Sequence, residues 1–216
     1  MSQSANIKIT VAFLLAFMLV LVAGFVYRIG APRAMTEAEM KVHGLYLLET
    51  PRSFGELKLV DHRGQPFERS RFEGEWSLLF FGFTYCPDIC PTTMALLNEF
   101  VGALDENERV TTQVVMVSVD PARDTVAKLA EYVPFFNPDF VGVTGEFLDI
   151  HRFATALNTP FRKVPGQSEN YLVDHSANVV LINPRGDYHG FFKTPLAQAD
   201  MLLTYRAVRS AWERNH

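Results

Sequence analysis

The sequence predicts an α/β sandwich: a mixed sheet flanked by helices, preceded by a single N-terminal transmembrane helix. Three observations carry this. Apolar runs of strand length alternate with stretches whose apolar residues recur at helical spacing. The alternation closes on a hairpin and a last helix, so the sheet is mixed rather than wholly parallel. Residues 9–27, ITVAFLLAFMLVLVAGFVY, run 19 positions without a charge, close to the roughly 20 that a membrane-spanning helix needs.

Taken in order, residues 1–8 are a short tail and 9–27 an uncleaved anchor. A signal peptide has a shorter apolar region, about 7–15 residues, followed by an A-x-A-like site, and none follows here. Residues 28–50 read as a polar tether, and 51–216 as one domain with enough chain for a full core. LKLVDHRGQPF is a hairpin, with a strand over 57–61 and a turn at Arg63-Gly64. SLLFFGFT, 77–84, is almost wholly apolar and aromatic, which suits a central strand buried on both faces. From Pro91 onward, Met94, Leu96, Leu97, Phe100, Val101 and Leu104 recur at helical spacing, with the proline suited to a first turn. TTQVVMVSVDP is a second buried strand ending at Asp120-Pro121, and DTVAKLAEYV a helix capped by Asp124 or Thr125. DFVGVTG is a short strand and EFLDIHRFATAL a helix. NYLVDHSANVVLINPRGDYHGFF reads as strand, strand, turn at Pro184-Arg185-Gly186, strand, and PLAQADMLLTYRAVRSAW as the closing helix.

A composition of 48% hydrophobic and 20% charged residues with a net charge of −4 is that of a globular chain without a basic nucleic-acid surface. Cys86 and Cys90 are its only cysteines, too few for a disulfide framework. They lie where the first buried strand hands over to its helix, and ligand sites in α/β sheets favour the carboxyl ends of strands. If helical geometry already holds across Cys86–Cys90, both sulfurs face one side, and amides at the helix start favour thiolates. Such a pair suits a soft metal ion, Cu(I) above all and Zn(II) also, or closes into a disulfide. Pro87, Asp88 and Pro91 make a polar, turn-like setting, unlike that of two cysteines filling a core. A metal site needs further ligands from His43, His62, His151, His175, His189 or His216. His43 falls in the tether, His62 in the hairpin, His151 in a helix, His189 on an exposed strand and His216 at the terminus. His175 follows one apolar strand and precedes another, at a bend from which a side chain reaches the sheet's carboxyl end; a core histidine is the commoner role there.

FFGFTYCPDICPTTM, VSVDPARDT and YLVDHSANVVLINPRG, in this order and spacing, resemble the Sco/SenC family of membrane-anchored, thioredoxin-like copper proteins over about residues 50–210. The resemblance implies a thioredoxin-like mixed sheet and one copper ion, Cu(I) or Cu(II), held by Cys86, Cys90 and His175. It implies a metallochaperone that delivers copper to the binuclear centre of cytochrome oxidase subunit II, or alternatively a dedicated thiol–disulfide reductase of that centre's cysteines through the Cys86–Cys90 pair. An upstream copper donor and a thiol reductant are the further partners, since an exported dithiol oxidises and an oxidised pair binds no metal. Asp174 could orient the imidazole or cap a turn, and Asp88 could tune the thiols or serve as a helix-start aspartate. Asp120 and Asp124 read first as strand-end and helix-cap residues. Tyr85, Val126 and Glu75 depart from residues frequent in the family without touching the three ligands.

A general oxidoreductase fits less well. Thioredoxin-type enzymes use C-x-x-C and a cis-proline opposite it, whereas this chain has C-x-x-x-C and, at VDHSANVV, no proline. A peroxidase reading rests on FTYCP alone, with no arginine near in sequence. The expected location is a bacterial inner membrane, single-pass, with the domain in the periplasm. The short tail argues for export and against a mitochondrial transit peptide, although Lys8 on one flank against Arg28 and Arg33 on the other does not support export by charge.

Overall fold

A computed structural model describes residues 3–30, 35–165 and 171–215. Contacts divide the chain into two units, meeting between Met35 and Thr36. The first unit is helix α1, Gln3–Gly30. Its described side chains, 10–24, are uncharged and exposed. Among the described residues no helix is long and apolar enough to cross a membrane.

The second unit opens with α2, Glu37–Val42, followed by β1, Leu45–Arg52. Here the structure differs from the tether expected over 28–50. Thr36 accepts from the Glu39 amide while the Glu39 carboxylate accepts from the Thr36 amide, a reciprocal cap that starts α2. Strand β1 is then held on the sheet through the pairs Leu45↔Phe192 and Tyr46↔Phe191. The hairpin follows as β2, Leu59–Asp61, and β3, Pro66–Phe67. Asp61 Oδ1 accepts from the amides of Arg63 and Gln65, both at 2.9 Å, and Gly64 takes φ +76° in the turn.

After a 3-10 turn at Arg69–Phe72 comes β4, Trp76–Gly82, buried at every residue. Its alternation explains why. Trp76 points to Tyr205 near the C-terminus (centroids 6.2 Å apart), and Phe81, on the opposite face, to Phe153 (5.7 Å). The chain continues as α3, Ile89–Gly102; α4, Glu106–Arg109; β5, Thr112–Ser118; α5, Val126–Phe136; β6, Val141–Thr144; and α6, Phe147–Ala156. It ends as β7, Arg162–Lys163; β8, Val173–Asp174; β9, Val179–Ile182; β10, Tyr188–Phe192; and α7, Gln198–Asn215.

Eight strands form one sheet in the order β1-β10-β9-β4-β5-β6-β2-β3, and β7 pairs with β8 apart from it. The pairs β4–β5 and β5–β6 are parallel, and the other pairs of the eight-stranded sheet antiparallel. The predicted mixed α/β sandwich is therefore the observed architecture. Register then places the site. Gly82 and Ser118 end β4 and β5 side by side, and the Val119 amide donates to the Gly82 carbonyl at 2.9 Å. The loops leaving both strands thus emerge together at the sheet's carboxyl edge.

Candidate metal centre

Helix α3 begins at Ile89, two residues before the expected Pro91 and three after Cys86. Helical geometry therefore does not extend across both cysteines, and their convergence has another cause. The Cys86 amide donates to the Phe83 carbonyl at 3.2 Å, closing a turn. The Cys90 amide, inside the first helical turn, donates to Cys86 Sγ at 3.4 Å. Asp88 stands at the N-cap position with φ −140° and makes no side-chain cap bond. The Cys86 sulfur thus takes one of the amides that a capping oxygen would ordinarily satisfy, and the helix start presents its partial positive charge to that sulfur.

Cys90 is buried and Cys86 half-buried, and both are free. The room for Cys90 comes from Gly82. A Cβ there would lie 2.6 Å from Phe80 Cε1 and 3.1 Å from Cys90 Sγ. Gly82→Ala should therefore push the sulfur and the Phe80 ring apart and cost about 1–3 kcal/mol, the usual range for overpacking a core. A urea unfolding midpoint equal to that of the wild type would show that the site has slack the geometry does not reveal.

His175 completes the group from the far side. Its Nε2 lies 3.5 Å from Cys90 Sγ, and its Nδ1 lies 3.0 Å from the Ser176 carbonyl. The carbonyl can only accept, so Nδ1 carries the proton and Nε2 turns its lone pair toward the sulfurs. Phe80 and Phe83 meet the imidazole edge-on, with centroids 6.0 and 5.8 Å away. Burial, first among the causes, lowers the His175 pKa and so favours the neutral ring that can ligate. Burial likewise pushes the Cys90 thiol up, with the Cys86 hydrogen bond next in weight. The Cys90 S–H accordingly donates to Nε2, its proton lying between two atoms a metal would bridge.

The two sulfurs and the ring nitrogen all lie within 4.8 Å of one another, a grouping that could hold a metal ion. Two ligand bonds of about 2.0–2.3 Å at a trigonal angle span roughly 3.5–4 Å, so one ion fits with small adjustments. Two sulfurs and an imidazole are a soft donor set. A cleft of ≈ 290 Å³ beside Cys86, Pro87, Ile89, Leu172 and His175 opens this group to solvent.

The structure redistributes several expected roles. Asp174 pairs with Arg162 (Nε to Oδ2, 3.2 Å) on the surface and leaves the imidazole's orientation to Ser176. Thr125, not Asp124, caps α5, accepting from the Lys128 amide at 3.2 Å. Asp124 is fully buried and accepts from the Thr84 amide, the Thr84 hydroxyl (2.7 Å) and the Ser118 hydroxyl (2.7 Å). This anchor of the thiol loop was missed as a functional residue; its signal was the polar trio Thr84, Ser118 and Asp124 at the ends of apolar strands. His43 pairs with Asp200 at 2.7 Å, and the buried His62 accepts from the Gly142 amide at 3.0 Å. His151 packs on Phe147 and Phe161. His189 is half-buried against Trp76 and Trp212 rather than exposed. His216 lies outside the described residues.

The comparisons with known proteins agree with this arrangement. The sequence pattern of the SCO1/SenC family matches residues 48–209. A protein of Stutzerimonas stutzeri named for copper binding is 39% identical over 150 residues, 69% of this chain and 74% of that protein. The mitochondrial SCO2 homolog of Mus musculus is 39% identical over 141 residues, 63% of this chain, and the match spans only 55% of the mouse protein's length. Among solved structures, Arabidopsis thaliana ScoI with copper bound superposes with a TM-score of 0.67 at 32% identity, covering 72% of this chain and 98% of that one.

Proposed function

Because this chain belongs to the SCO1/SenC family, we propose that it is a copper metallochaperone. One copper ion is its cargo, held by Cys86 Sγ, Cys90 Sγ and His175 Nε2. The observation that carries the reading is the convergence of two sulfurs from the start of α3 and the loop before it with an imidazole from a separate segment, all within 4.8 Å. Two thiolates and an imidazole offer Cu(I) a trigonal site, and an added water or other oxygen donor would suit Cu(II). The recipient is the binuclear copper centre of cytochrome oxidase subunit II, reached by ligand exchange at the open cleft, where half-buried Cys86 is the accessible sulfur. An upstream copper donor loads the site, and a thiol reductant keeps it open to metal. With this goes a bacterial inner-membrane location, the 9–27 segment as anchor and the domain in the periplasm. That part of the reading rests on the 19 uncharged residues of the sequence.

Loading displaces the Cys90 proton, because burial holds that thiol protonated at neutral pH. His175, lowered from 6.5, offers no competing proton above that value. Cu(I) affinity should therefore rise with pH between 6.5 and 8, by roughly tenfold per unit for each proton released. A chelator competition that gave a pH-independent constant would mean that the thiol proton is not displaced.

A second reading has its own observation. The sulfurs of Cys86 and Cys90 are close enough for rotation of one side chain to bring them toward a disulfide, so the same pair could reduce the recipient's cysteines. One transfer experiment separates the two. Copper-loaded chain mixed with reduced subunit II copper domain should lose its copper to that domain, one ion per chain. Copper-free reduced chain mixed with oxidised domain should leave the domain's disulfide in place. A chain that binds no copper yet reduces the domain quickly would reverse the assignment.

A further inference from the structure

His175 reaches the sulfurs from a piece of chain that the main sheet does not hold. Strand β8 ends one residue before it and pairs with β7 through Arg162↔Asp174 and Lys163↔Val173, outside the eight-stranded sheet. Downstream of His175 the chain is pinned by Asn178, whose side-chain oxygen accepts from the Thr194 amide and hydroxyl at 3.0 and 3.1 Å. Upstream it is pinned by Tyr171. The Tyr171 hydroxyl donates to Asp120 Oδ1 at 2.6 Å, and its carbonyl accepts from Arg123 Nη2 at 2.8 Å. Its ring faces two cations, with Arg123 Cζ 3.7 Å and Lys163 Nζ 3.4 Å from the centroid.

Arg123 is the joint of this group. Its Nε donates to the Asp120 carboxylate, which is buried. The same guanidinium lies over Tyr85 (4.8 Å) and Phe83 (5.8 Å), the residues on either side of Thr84 in the loop that leads to Cys86. Arg123 therefore touches both halves of the centre: the loop that carries the sulfurs and the segment that carries the imidazole. A planar, always-charged group with a fixed fork suits this, since it can stack on rings and bridge a carboxylate and a carbonyl at once.

We propose that Arg123, Asp120 and Tyr171 are positioning residues that clasp the two loops and set the sulfur–imidazole distance, and with it the affinity for the metal. Free of the clasp, β8 would hold His175 near the sulfurs for only part of the time, and affinity would fall with that fraction. The clasp builds on the copper reading above, so its test has one arm that needs no metal.

Cu(I) affinity is measured by chelator competition for the full chain, for Tyr171→Leu and for Tyr171→Phe, each in the presence and absence of His175→Ala. Tyr171→Leu should weaken binding by about 10–100-fold, the range seen when groups that orient a ligand are removed. Tyr171→Phe keeps the ring on its cations and loses only the Asp120 bond, so its loss should stay below about tenfold. In the His175→Ala background the Tyr171→Leu effect should vanish, because the clasp acts through that imidazole. Wild-type affinity in Tyr171→Leu, or the same loss with and without His175, overturns the clasp. Should the wild-type chain take up no Cu(I), it is the copper reading that fails, and the clasp is then judged on the metal-free protein. NMR contacts between the His175 and Phe83 rings, 5.8 Å apart by centroid, should be present in the wild type and lost in Tyr171→Leu. Their persistence in that variant overturns the clasp as well.

Discussion

Replacing His175 by alanine is expected to leave the domain folded and to lower its Cu(I) affinity by more than about 100-fold, beyond what the loss of an orienting group costs. The fold survives because the imidazole contributes little to the core. It is half-buried, its one backbone bond runs to the neighbouring Ser176 carbonyl, and its ring contacts are to Phe80 and Phe83. Losing them should cost about 1–2 kcal/mol. The metal loses far more, because Nε2 is the one nitrogen donor in the group and the remaining sulfurs must hold the ion as a pair. Closure of the Cys86–Cys90 disulfide by an added oxidant should continue in this variant, since neither sulfur is altered. Chelator competition together with a thiol count on the same samples reads both quantities. An affinity within about threefold of the wild type would remove His175 from the ligand set; a variant that can no longer form the disulfide would tie the imidazole to redox chemistry instead.

The same side chain shows where the sequence is legible and where it is not. The strands β4 and β5, though each ends two residues before its expected close at Thr84 and Asp120, the helix after the cysteines and the bend at His175 could be read, because each is marked by a change in apolar pattern. What orients His175 could not. A sequence displays the Asp174 carboxylate, but it displays neither the Ser176 carbonyl nor the Arg162 guanidinium that draws Asp174 to the surface. The start of α3 escaped for a related reason. Pro91 is a strong helix-start signal, yet Cys86 Sγ takes an amide one residue earlier, and sulfur is not a residue one looks for at a cap. Residues 36–50 were hidden by their polarity. Glu37, Glu39 and Glu49 read as tether, while the Thr36–Glu39 reciprocal cap and the apolar Leu45 and Leu47 pointed to helix and strand. Arg123 escaped because it joins two stretches distant in sequence, contacting Phe83 and Tyr85 ahead of it and Tyr171 beyond it.

Asp124→Ala is expected to destabilise the domain by about 3–5 kcal/mol and to loosen the metal centre that Asp124 never touches, since it leaves one buried and two part-buried donors without their acceptor. The donors are the Thr84 amide at 3.1 Å, the Thr84 hydroxyl at 2.7 Å and the Ser118 hydroxyl at 2.7 Å. Thr84 stands two residues ahead of Cys86, so this carboxylate fixes the approach of the thiol loop to the sheet. Burial raises the Asp124 pKa and is opposed by the Thr84 and Ser118 hydrogen bonds. The sign of the pH dependence follows. With the folded pKa above the unfolded 3.8, the group's contribution is greatest below 3.8 and declines as pH rises through the folded value. Asp124→Asn, which does not titrate, should therefore be outweighed by the wild type most strongly at low pH and less at neutral pH. Urea midpoints for the three proteins across pH 4–7 test the stability claim, and Cu(I) competition on the same samples tests the loosening. Should Asp124→Ala unfold at the wild-type midpoint, the three hydrogen bonds would contribute nothing net. A lower midpoint with wild-type copper affinity would make Asp124 a support of the fold alone.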